Sequence, residues 1–327
     1  MGSGNDSKQM ARRLLILSLV ALVLCSPLFA HLSAATISIN GSDTMVILAQ
    51  KWAERYRSEH PEIEFQVMGG GSGTGFAALQ NRTTHLATAS RRIRATESAA
   101  CIRVFHRRPK EFKVCLDGLS VYVHRSNPIE EITLAELEQI FTGQMQNWKE
   151  LGGPDETITI YSRENSSGTY EFFKKNVLHG KDFSAASQSM PGTAAVLQAV
   201  SNDPRGIGYG GAAYGVGAKA LKIKRDQDSP AYAPTEDHVR NRTYPIWRYL
   251  YIYVDPAHYD GHLKHFLTWI LDDGGQRITG EVGYFPLSPM PKEISTPDDF
   301  RTTGTLSPIP ASDRSQLADL ESLSLTD

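Results

Sequence analysis

Apolar residues recur along this chain at two alternating periods, those of strands and of helices. The segments 36–40 and 63–67 alternate apolar and polar residues, which predicts two strands. Between them, from Met45 to Tyr56, apolar residues return at every third or fourth position, which predicts a helix. Because strands that alternate with helices build parallel sheets, the pattern predicts an α/β fold whose ligands gather at the carboxyl ends of strands.

The same order of strand, turn and helix continues through most of the chain. Thr133 and Glu136 form a capping-box pattern, which marks the start of one helix. Further strands are predicted over 86–89, 119–123, 158–161, 205–209 and 249–254, and further helices near 76–79, 170–177, 193–200 and 262–271, the last of them stopped by Gly274-Gly275.

Length and charge narrow the class of protein. The 327 residues are enough for two ordinary domains, and 40% apolar and 21% charged residues are typical of a soluble globular protein. A formal net charge of −2 gives no general attraction for nucleic acid or for an acidic surface. Any anion site must therefore be local.

The N-terminus has the arrangement of a secretory signal peptide. Residues 14–24 are continuously apolar, Arg12-Arg13 precede them, and small residues follow at Ala30 and 33–35. The apolar run is too short to span a bilayer comfortably. We expect residues 1–35 to be a signal peptide that directs the chain to the periplasm, and an uncleaved membrane anchor is the alternative.

Two cysteines remain after such a cleavage, Cys101 and Cys115. An even cysteine count in an exported chain favours a disulfide. The residues between them, which include Arg107, Arg108 and Lys110, are too polar for a core element. The expectation is a basic surface loop pinned by a disulfide, and two free buried thiols are the alternative.

The glycine cluster 69–75 fails the best-known glycine-rich motifs. Thr74 stands where a dinucleotide fingerprint needs its third glycine and where a nucleophile elbow needs its last one. Phe76 stands where a phosphate-binding P-loop needs lysine. What remains is a glycine-rich turn with hydroxyl groups at a helix start, for which a tight turn without a ligand is the alternative.

Three turns of this kind run into predicted helices, at 41–44, 69–75 and 163–169. A helix N-terminus presents unpaired N–H groups and a positive dipole end, and adjacent glycines and hydroxyls let an anion approach. Arg163 adds a guanidinium fork suited to an oxyanion. The candidate ligand-binding residues are Ser42, Asp43, Thr44, Ser72, Gly73, Thr74, Ser90, Arg91, Arg163, Ser166, Ser167, Gly168 and Thr169.

Catalytic and metal sites have little support in the sequence. His258, His262 and His265 lie at helical spacing, but no carboxylate or cysteine constellation accompanies them, so surface histidines are the better interpretation. No histidine is placed beside a candidate serine nucleophile, and no carboxylate pair stands out. We expect a binding protein without catalysis and without a cofactor.

Taken together, these stretches resemble one family, the periplasmic phosphate-binding proteins of ABC phosphate importers. The glycine-serine cluster and the arginine followed by Ser-Gly-Thr are the specific matches. The matching stretches run in the family's order across about 40–290: Gly-Ser-Asp-Thr at 41–44, the cluster 69–75, Ala89-Ser90-Arg91, Asn127-Pro128 with 141–143 and Asn147-Trp148, Arg163 with 167–169, 207–209 and 283–287.

The resemblance implies a type II periplasmic-binding fold, in which two α/β lobes joined by two strand crossovers close on the ligand. The crossovers would fall near Val121–His124 and Tyr249–Tyr253. Lobe one would then be 36–124 plus 244–292, lobe two would be 125–243, and 293–327 would be a mobile C-terminal tail. The first two turns and Ser90 would come from lobe one, and the Arg163 turn from lobe two.

The implied function is capture of inorganic phosphate by an exported monomer and its delivery to the membrane subunits of an ABC permease, with no role for nucleic acid. A binder of sulfate, molybdate or tungstate is the alternative within the fold. A phosphate-ester hydrolase or a surface adhesin built on the same lobes is the alternative from another class.

One position departs from the family pattern. Many members have an aspartate directly after the serine that aligns with Ser90, where it accepts the proton of hydrogen phosphate and excludes sulfate, and this chain has Arg91. Asp43 is then the alternative proton acceptor, unless it caps its helix. Arg91 either adds a second positive fork or points away and bridges the lobes.

Overall fold

In the computed structural model, residues 35–215 and 217–287 are described, and strands and helices alternate along them. Residues 1–34 of the expected signal peptide and the expected tail at 293–327 lie outside the described residues. The strands are Ala35–Gly41 (β1), Ile63–Gly70 (β2), Leu86–Ala89 (β3), Lys110–Val123 (β4), Glu131–Thr133 (β5), Thr159–Arg163 (β6), Gln188–Met190 (β7), Gly206–Gly211 (β8), Lys219–Ala220 (β9), Lys222–Lys224 (β10) and Trp247–Val254 (β11).

Most helices lie where the sequence predicts them, whereas Ala95–Phe105, Glu236–Arg240 and Asp273–Val282 were not predicted. Thr133 caps one of them by accepting the backbone N–H of Glu136, which confirms the capping box. The helices are Val46–Glu59 (α1), Ser72–Gln80 (α2), Ala95–Phe105 (α3), Leu134–Phe141 (α4), Gly168–Asn176 (α5), Thr193–Asn202 (α6), Glu236–Arg240 (α7), Gly261–Leu271 (α8) and Asp273–Val282 (α9).

A sheet in the order β2-β1-β3-β11-β4-β8-β6-β7 runs through the described residues. Strands β2, β1 and β3 are parallel neighbours, and so are β8, β6 and β7 at the other end. Between these groups, β11 and β4 pair antiparallel with each other. The predicted α/β fold is confirmed, but the sheet is mixed and not parallel throughout. The parallel group β2-β1-β3 and the parallel group β8-β6-β7 run in opposite directions, and the antiparallel strands β11 and β4 join them.

Two large apolar clusters lie on either side of this central pair. The first core contains Trp52 and Phe266, with Phe112 from the beginning of β4. The second core contains Trp148 and Phe173, together with the end of β4 from Leu119 onward. Strand β4 therefore supplies its first residues to one core and its last residues to the other.

The expected disulfide is absent, because Cys101 and Cys115 are both free and buried. Cys101 lies on α3 and Cys115 lies on β4 in the first core. The polar residues between them do not form a surface loop as predicted. In 110–115 the side chains of Phe112 and Val114 alternate with charged ones and point into the core, so the segment is the start of β4. The two thiols belong to separate packed elements, and the alternative of free buried cysteines is correct.

Candidate anion-binding site

Four buried hydroxyl groups lie together where several strands end. Thr44 Oγ1 and Thr169 Oγ1 are 2.7 Å apart, and Thr169 Oγ1 is 3.3 Å from Ser90 Oγ. Ser90 Oγ is in turn 3.3 Å from Ser72 Oγ, which accepts the backbone N–H of Ser90 at 3.0 Å. Each of these residues is at most 1% exposed. We call Thr44, Ser72, Ser90 and Thr169 the hydroxyl cluster.

The topology explains why these side chains meet. Thr44 follows β1, Ser72 follows β2, Ser90 follows β3 and Thr169 follows β6, so each lies just beyond the carboxyl end of a strand. The parallel strands β1, β2 and β3 bring their carboxyl ends to one edge of the sheet. Strand β6 runs in the opposite direction, through the antiparallel pairs β3–β11, β11–β4 and β4–β8, so its carboxyl end faces theirs. Ser72 and Thr169 also lie in the first turns of α2 and α5, where backbone N–H groups have no partner within the helix.

Two glycines permit the close contact between these turns. A Cβ atom on Gly168 would lie 2.3 Å from Ser72 Oγ and 2.8 Å from Ser90 Oγ. Gly71 has a φ of +98°, and a Cβ atom there would lie 2.5 Å from the carbonyl oxygen of Ser166. Glycine is therefore required at both positions by space, and at Gly71 also by backbone conformation.

One buried hydroxyl next to this cluster has no hydrogen-bond partner. Ser42 is 2% exposed, and its Oγ makes no hydrogen bond within the protein. Burial of an unsatisfied polar group costs about 1–3 kcal/mol, so such groups point to a ligand or a function. The backbone N–H of Ser42 donates to the carbonyl oxygen of Thr88 at 3.0 Å, which fixes the turn that carries the hydroxyl.

Arg163 and Asp43 form the charged part of the site. Arg163 Nη2 donates to Asp43 Oδ2 at 2.8 Å, and Arg163 Nη1 donates to Thr193 Oγ1 at 2.8 Å. Asp43 Oδ1 accepts the backbone N–H of Gly70 at 2.9 Å. Burial lowers the pKa of the Arg163 guanidinium, and the Asp43 carboxylate opposes that shift.

The other residues of the third turn support the site through their backbone or their caps. Ser166 accepts the N–H of Gly73 on its carbonyl oxygen at 2.9 Å, and this bond joins the second turn to the third. Ser167 caps α5 by accepting the N–H of Tyr170 on Oγ. Neither the Ser166 nor the Ser167 side chain forms a hydrogen bond with a hydroxyl of the cluster.

Thr74 and Arg91 are not brought to the hydroxyl cluster. Thr74 is exposed, and its hydroxyl donates to the carbonyl oxygen of Gly70. Arg91 donates to both carboxylate oxygens of Glu97 at 2.8 and 2.6 Å and also contacts Glu171. The sequence left two orientations open for Arg91, a second positive fork at the site or a position that points away and bridges the lobes. In the structure its side chain points away from the hydroxyl cluster and contacts Glu171 on α5.

Sequence reasoning missed a second buried ion pair, between Arg248 on β11 and Asp117 on β4. Arg248 Nε donates to Asp117 Oδ2 at 2.9 Å, and both side chains are at most 2% exposed. Arg248 also donates from Nη2 to Thr169 Oγ1 at 3.1 Å, which attaches it to the hydroxyl cluster. The available signal was a single arginine within the otherwise apolar and aromatic run 247–254.

Metal binding and membrane spanning find no support in the described part of the chain. Residues 35–215 and 217–287 contain no group of three or more His, Cys, Asp or Glu side chains that could hold a metal ion. His258 instead lies 3.2 Å from the carboxylate of Asp255. Over those same ranges, no helix combines the length and the apolar character that a bilayer crossing needs.

Comparison with known proteins places the chain among solute-binding proteins. A family model described as a PBP superfamily domain matches residues 30–274. The phosphate-binding protein PstS of Pseudomonas aeruginosa is 31% identical over 270 residues, which cover 78% of this chain and 84% of that protein. PstS of Bacillus subtilis is 29% identical over 259 residues, which cover 79% of this chain and 83% of that protein.

Solved structures agree with these sequence matches. A Clostridium perfringens protein, described as a substrate-binding protein of a phosphate ABC transporter and solved with bound phosphate, superposes with a TM-score of 0.71 at 26% identity, covering 77% of this chain and 100% of that one. An ABC-type phosphate transport receptor from Vibrio cholerae superposes with a TM-score of 0.62, also at 26% identity, covering 78% of this chain and 100% of that one.

Proposed function

Since this chain belongs to the PBP superfamily and, within it, to the family of PstS phosphate-binding proteins, we propose that it captures inorganic phosphate and delivers it to an ABC-type membrane permease. The fold is the two-lobed type II fold of its structural neighbours. The boundaries proposed for the lobes remain 36–124 plus 244–292 and 125–243, with the phosphate between them.

The observation that carries the proposal is the buried set of hydroxyl and N–H donors beside a guanidinium. The four hydroxyl groups of the cluster are buried, and Ser42 adds a further buried hydroxyl without a partner. Arg163 supplies the positive charge. A phosphate ion has four oxygens that accept hydrogen bonds, and bonds to a charged partner contribute about 1.5–3 kcal/mol each.

Phosphate entry requires the two sides of the site to part. Two hydroxyls that donate to the same oxygen at ordinary hydrogen-bond distances are about 4.4 Å apart, whereas Thr44 Oγ1 and Thr169 Oγ1 are 2.7 Å apart. Hinge motion about the central strands β4 and β11 is the proposed means, as in other two-lobed binding proteins that close around ligands.

Asp43 is the proposed acceptor for the proton of hydrogen phosphate. Its carboxylate lies at the edge of the site, bonded to Arg163 Nη2 and to the N–H of Gly70. Sulfate carries no proton at neutral pH, so a carboxylate that faces the anion repels sulfate and accepts a bond from hydrogen phosphate. This assignment replaces the aspartate that many members of the family have at the position of Arg91.

The remaining features of the proposal concern the setting in which the protein works. We propose an exported, periplasmic monomer that has no catalytic activity and no nucleic acid partner. Export is supported by the signal-like sequence at 1–35, and the absence of a nucleic acid partner by the formal net charge of −2. Among the described residues, no histidine hydrogen-bonds a hydroxyl of the cluster, which argues against a serine nucleophile there.

Calorimetric titration of the purified protein with phosphate, sulfate and molybdate tests this function. We expect phosphate to bind with micromolar or tighter affinity and sulfate to bind far more weakly. Tighter binding of sulfate or molybdate than of phosphate would make the chain a binder of another oxyanion. Turnover of a chromogenic phosphate ester that Ser72→Ala abolishes would instead establish a hydrolase.

A further inference from the structure

Arg248 joins both sides of the candidate site from a strand at the centre of the sheet. Its Nη1 donates to the carbonyl oxygen of Ser90 at 3.0 Å, and its Nη2 donates to Thr169 Oγ1 at 3.1 Å. Asp117, directly opposite on β4, accepts from Nε at 2.9 Å and lies 2.8 Å from Nη2. The guanidinium also lies over the ring of Phe172, with Cζ 5.3 Å from its centroid.

The bond from Arg248 limits what the Thr169 hydroxyl can do. A threonine hydroxyl has one hydrogen to donate and two lone pairs that accept. Arginine carries N–H donors and no acceptor, so its contact at 3.1 Å uses one of the two lone pairs. The hydroxyl hydrogen of Thr169 must then point away from Arg248, toward Ser90 Oγ, to which it donates, or toward an anion bound beside it.

We propose that Arg248 is a positioning residue that holds the Thr169 hydroxyl as a hydrogen-bond donor to a phosphate oxygen. The proposal rests on the function proposed above and adds a selectivity rule to it. An ionised phosphate oxygen accepts the Thr169 hydrogen bond more strongly than a protonated one, so the protonated oxygen of hydrogen phosphate is favoured elsewhere, toward Asp43. Asp117 holds the guanidinium in place and balances its charge.

The placement of this ion pair fits a functional role better than a purely structural one. Replacing a buried ion pair with well-packed apolar residues is often neutral or stabilising, so burial of Arg248 and Asp117 is weak evidence for stability alone. The two Nη groups of Arg248 are instead directed to Ser90 and Thr169, which belong to the hydroxyl cluster. Lysine has a single nitrogen and cannot reproduce this three-way set of bonds.

A double-mutant cycle on the full chain tests the proposal. The variants are Arg248→Lys, Thr169→Val and the two combined, with phosphate affinity measured by calorimetry at one pH and ionic strength. We expect Thr169→Val to weaken phosphate binding roughly tenfold or more, because a donor to a charged ligand is lost. We expect Arg248→Lys to weaken binding roughly fivefold in the native background and less than twofold in the Thr169→Val background.

A matched control is Arg91→Lys, because Arg91 is also a buried arginine bound to carboxylates but does not contact Thr169. Its effect on phosphate affinity should be the same factor with and without Thr169→Val. If Arg248→Lys behaves in the same additive way, Arg248 acts only on the fold and the proposal is overturned. Melting temperatures of all variants separate loss of folded protein from loss of affinity.

A replacement variant and two further outcomes keep the experiment decisive. If Arg248→Lys does not fold, the neutral pair Arg248→Gln with Asp117→Asn replaces it in the cycle, with the same expected coupling. If the Thr169→Val variant binds phosphate as tightly as the native chain, the proposal is overturned without any measurement on an Arg248 variant. A native chain that binds no phosphate overturns the proposed function as well, whereas native binding with an additive cycle overturns this inference alone.

Discussion

In the described part of the chain, the candidate site contains two arginine–aspartate pairs that are held in different ways. Arg248 and Asp117 are register partners on the neighbouring strands β11 and β4, and their side chains are 2% and 0% exposed. Arg163 ends β6, whereas Asp43 lies in the turn after β1, and the Asp43 side chain is 18% exposed. The first pair is fixed by a strand ladder, and the second depends on tertiary contact between two separate turns.

This difference determines which of the two ion pairs can separate. Cross-strand neighbours keep their spacing as long as the two strands remain paired. The proposed hinge motion would leave Arg248 and Asp117 together and would separate Asp43 from Arg163. We therefore propose Arg163 as the guanidinium that exchanges a carboxylate for an incoming oxyanion, and Arg248 as the residue that orients the groups around it.

The largest expected effect is on stability, from loss of Asp117. We expect Asp117→Ala to lower the free energy of unfolding by about 3–5 kcal/mol, because it leaves the buried Arg248 charge without its carboxylate. Urea denaturation measures this value, and Asp43→Ala is the matched control. Its cost should be distinctly smaller, because Arg163 keeps Thr193 and the Asp43 side chain is partly exposed. Equal losses in the two variants would remove the distinction between the pairs.

The next effect is on binding, from loss of Arg163. We expect Arg163→Ala to weaken phosphate binding at least ~100-fold, since two bonds from a charged donor at about 1.5–3 kcal/mol each would be lost. Circular dichroism and thermal melting should show an intact fold. Native affinity in a calorimetric titration of this variant would remove Arg163 from the site.

A smaller effect is expected on selectivity, from Asp43. We expect Asp43→Asn to reduce the preference for phosphate over sulfate by about tenfold, the size of one charged interaction of roughly 1.4 kcal/mol. Titration of the variant with both anions measures the ratio. An unchanged ratio would show that Asp43 is a helix-start residue and not the proton acceptor.

The smallest effect is expected from Glu171, which pairs with Arg91 and Arg94 near the surface. Its side chain is 27% exposed, and Arg94 Nε donates to it at 2.7 Å. We expect Glu171→Gln to weaken phosphate binding about two- to fivefold, because partly exposed pairs contribute about 1 kcal/mol or less. The loss should shrink at high salt. A loss as large as that of Arg163→Ala would place Glu171 in the binding machinery.

Much of the fold and part of the site could be predicted from local pattern. The strand at 36–40, the helix from Met45 and the capping box at Thr133 are set by periodicity and by hydrogen bonds within a few residues. The hydroxyls of Thr44, Ser72 and Thr169 follow from the same logic, because each begins a helix after a parallel strand.

Other features depend on residues that are distant in the sequence. Asp117 and Arg248 meet only because β4 and β11 pair in one particular register. Arg91 has the residue type of an anion ligand, but Glu97 and Glu171 decide where its guanidinium points. The prediction that the glycines at 274–275 stop a helix was wrong, because α8 already ends at Leu271 and α9 contains both glycines.

The buried free cysteines have a consequence for how the protein can be made. Burial raises the pKa of the Cys101 thiol to about 11 and the pKa of the Cys115 thiol well above its ordinary value, so both stay protonated at neutral pH. A protonated, enclosed thiol is neither a ready nucleophile nor a substrate for oxidants. The described part of the chain therefore needs no oxidoreductase to mature, and reducing agents in a purification buffer leave its packing unchanged.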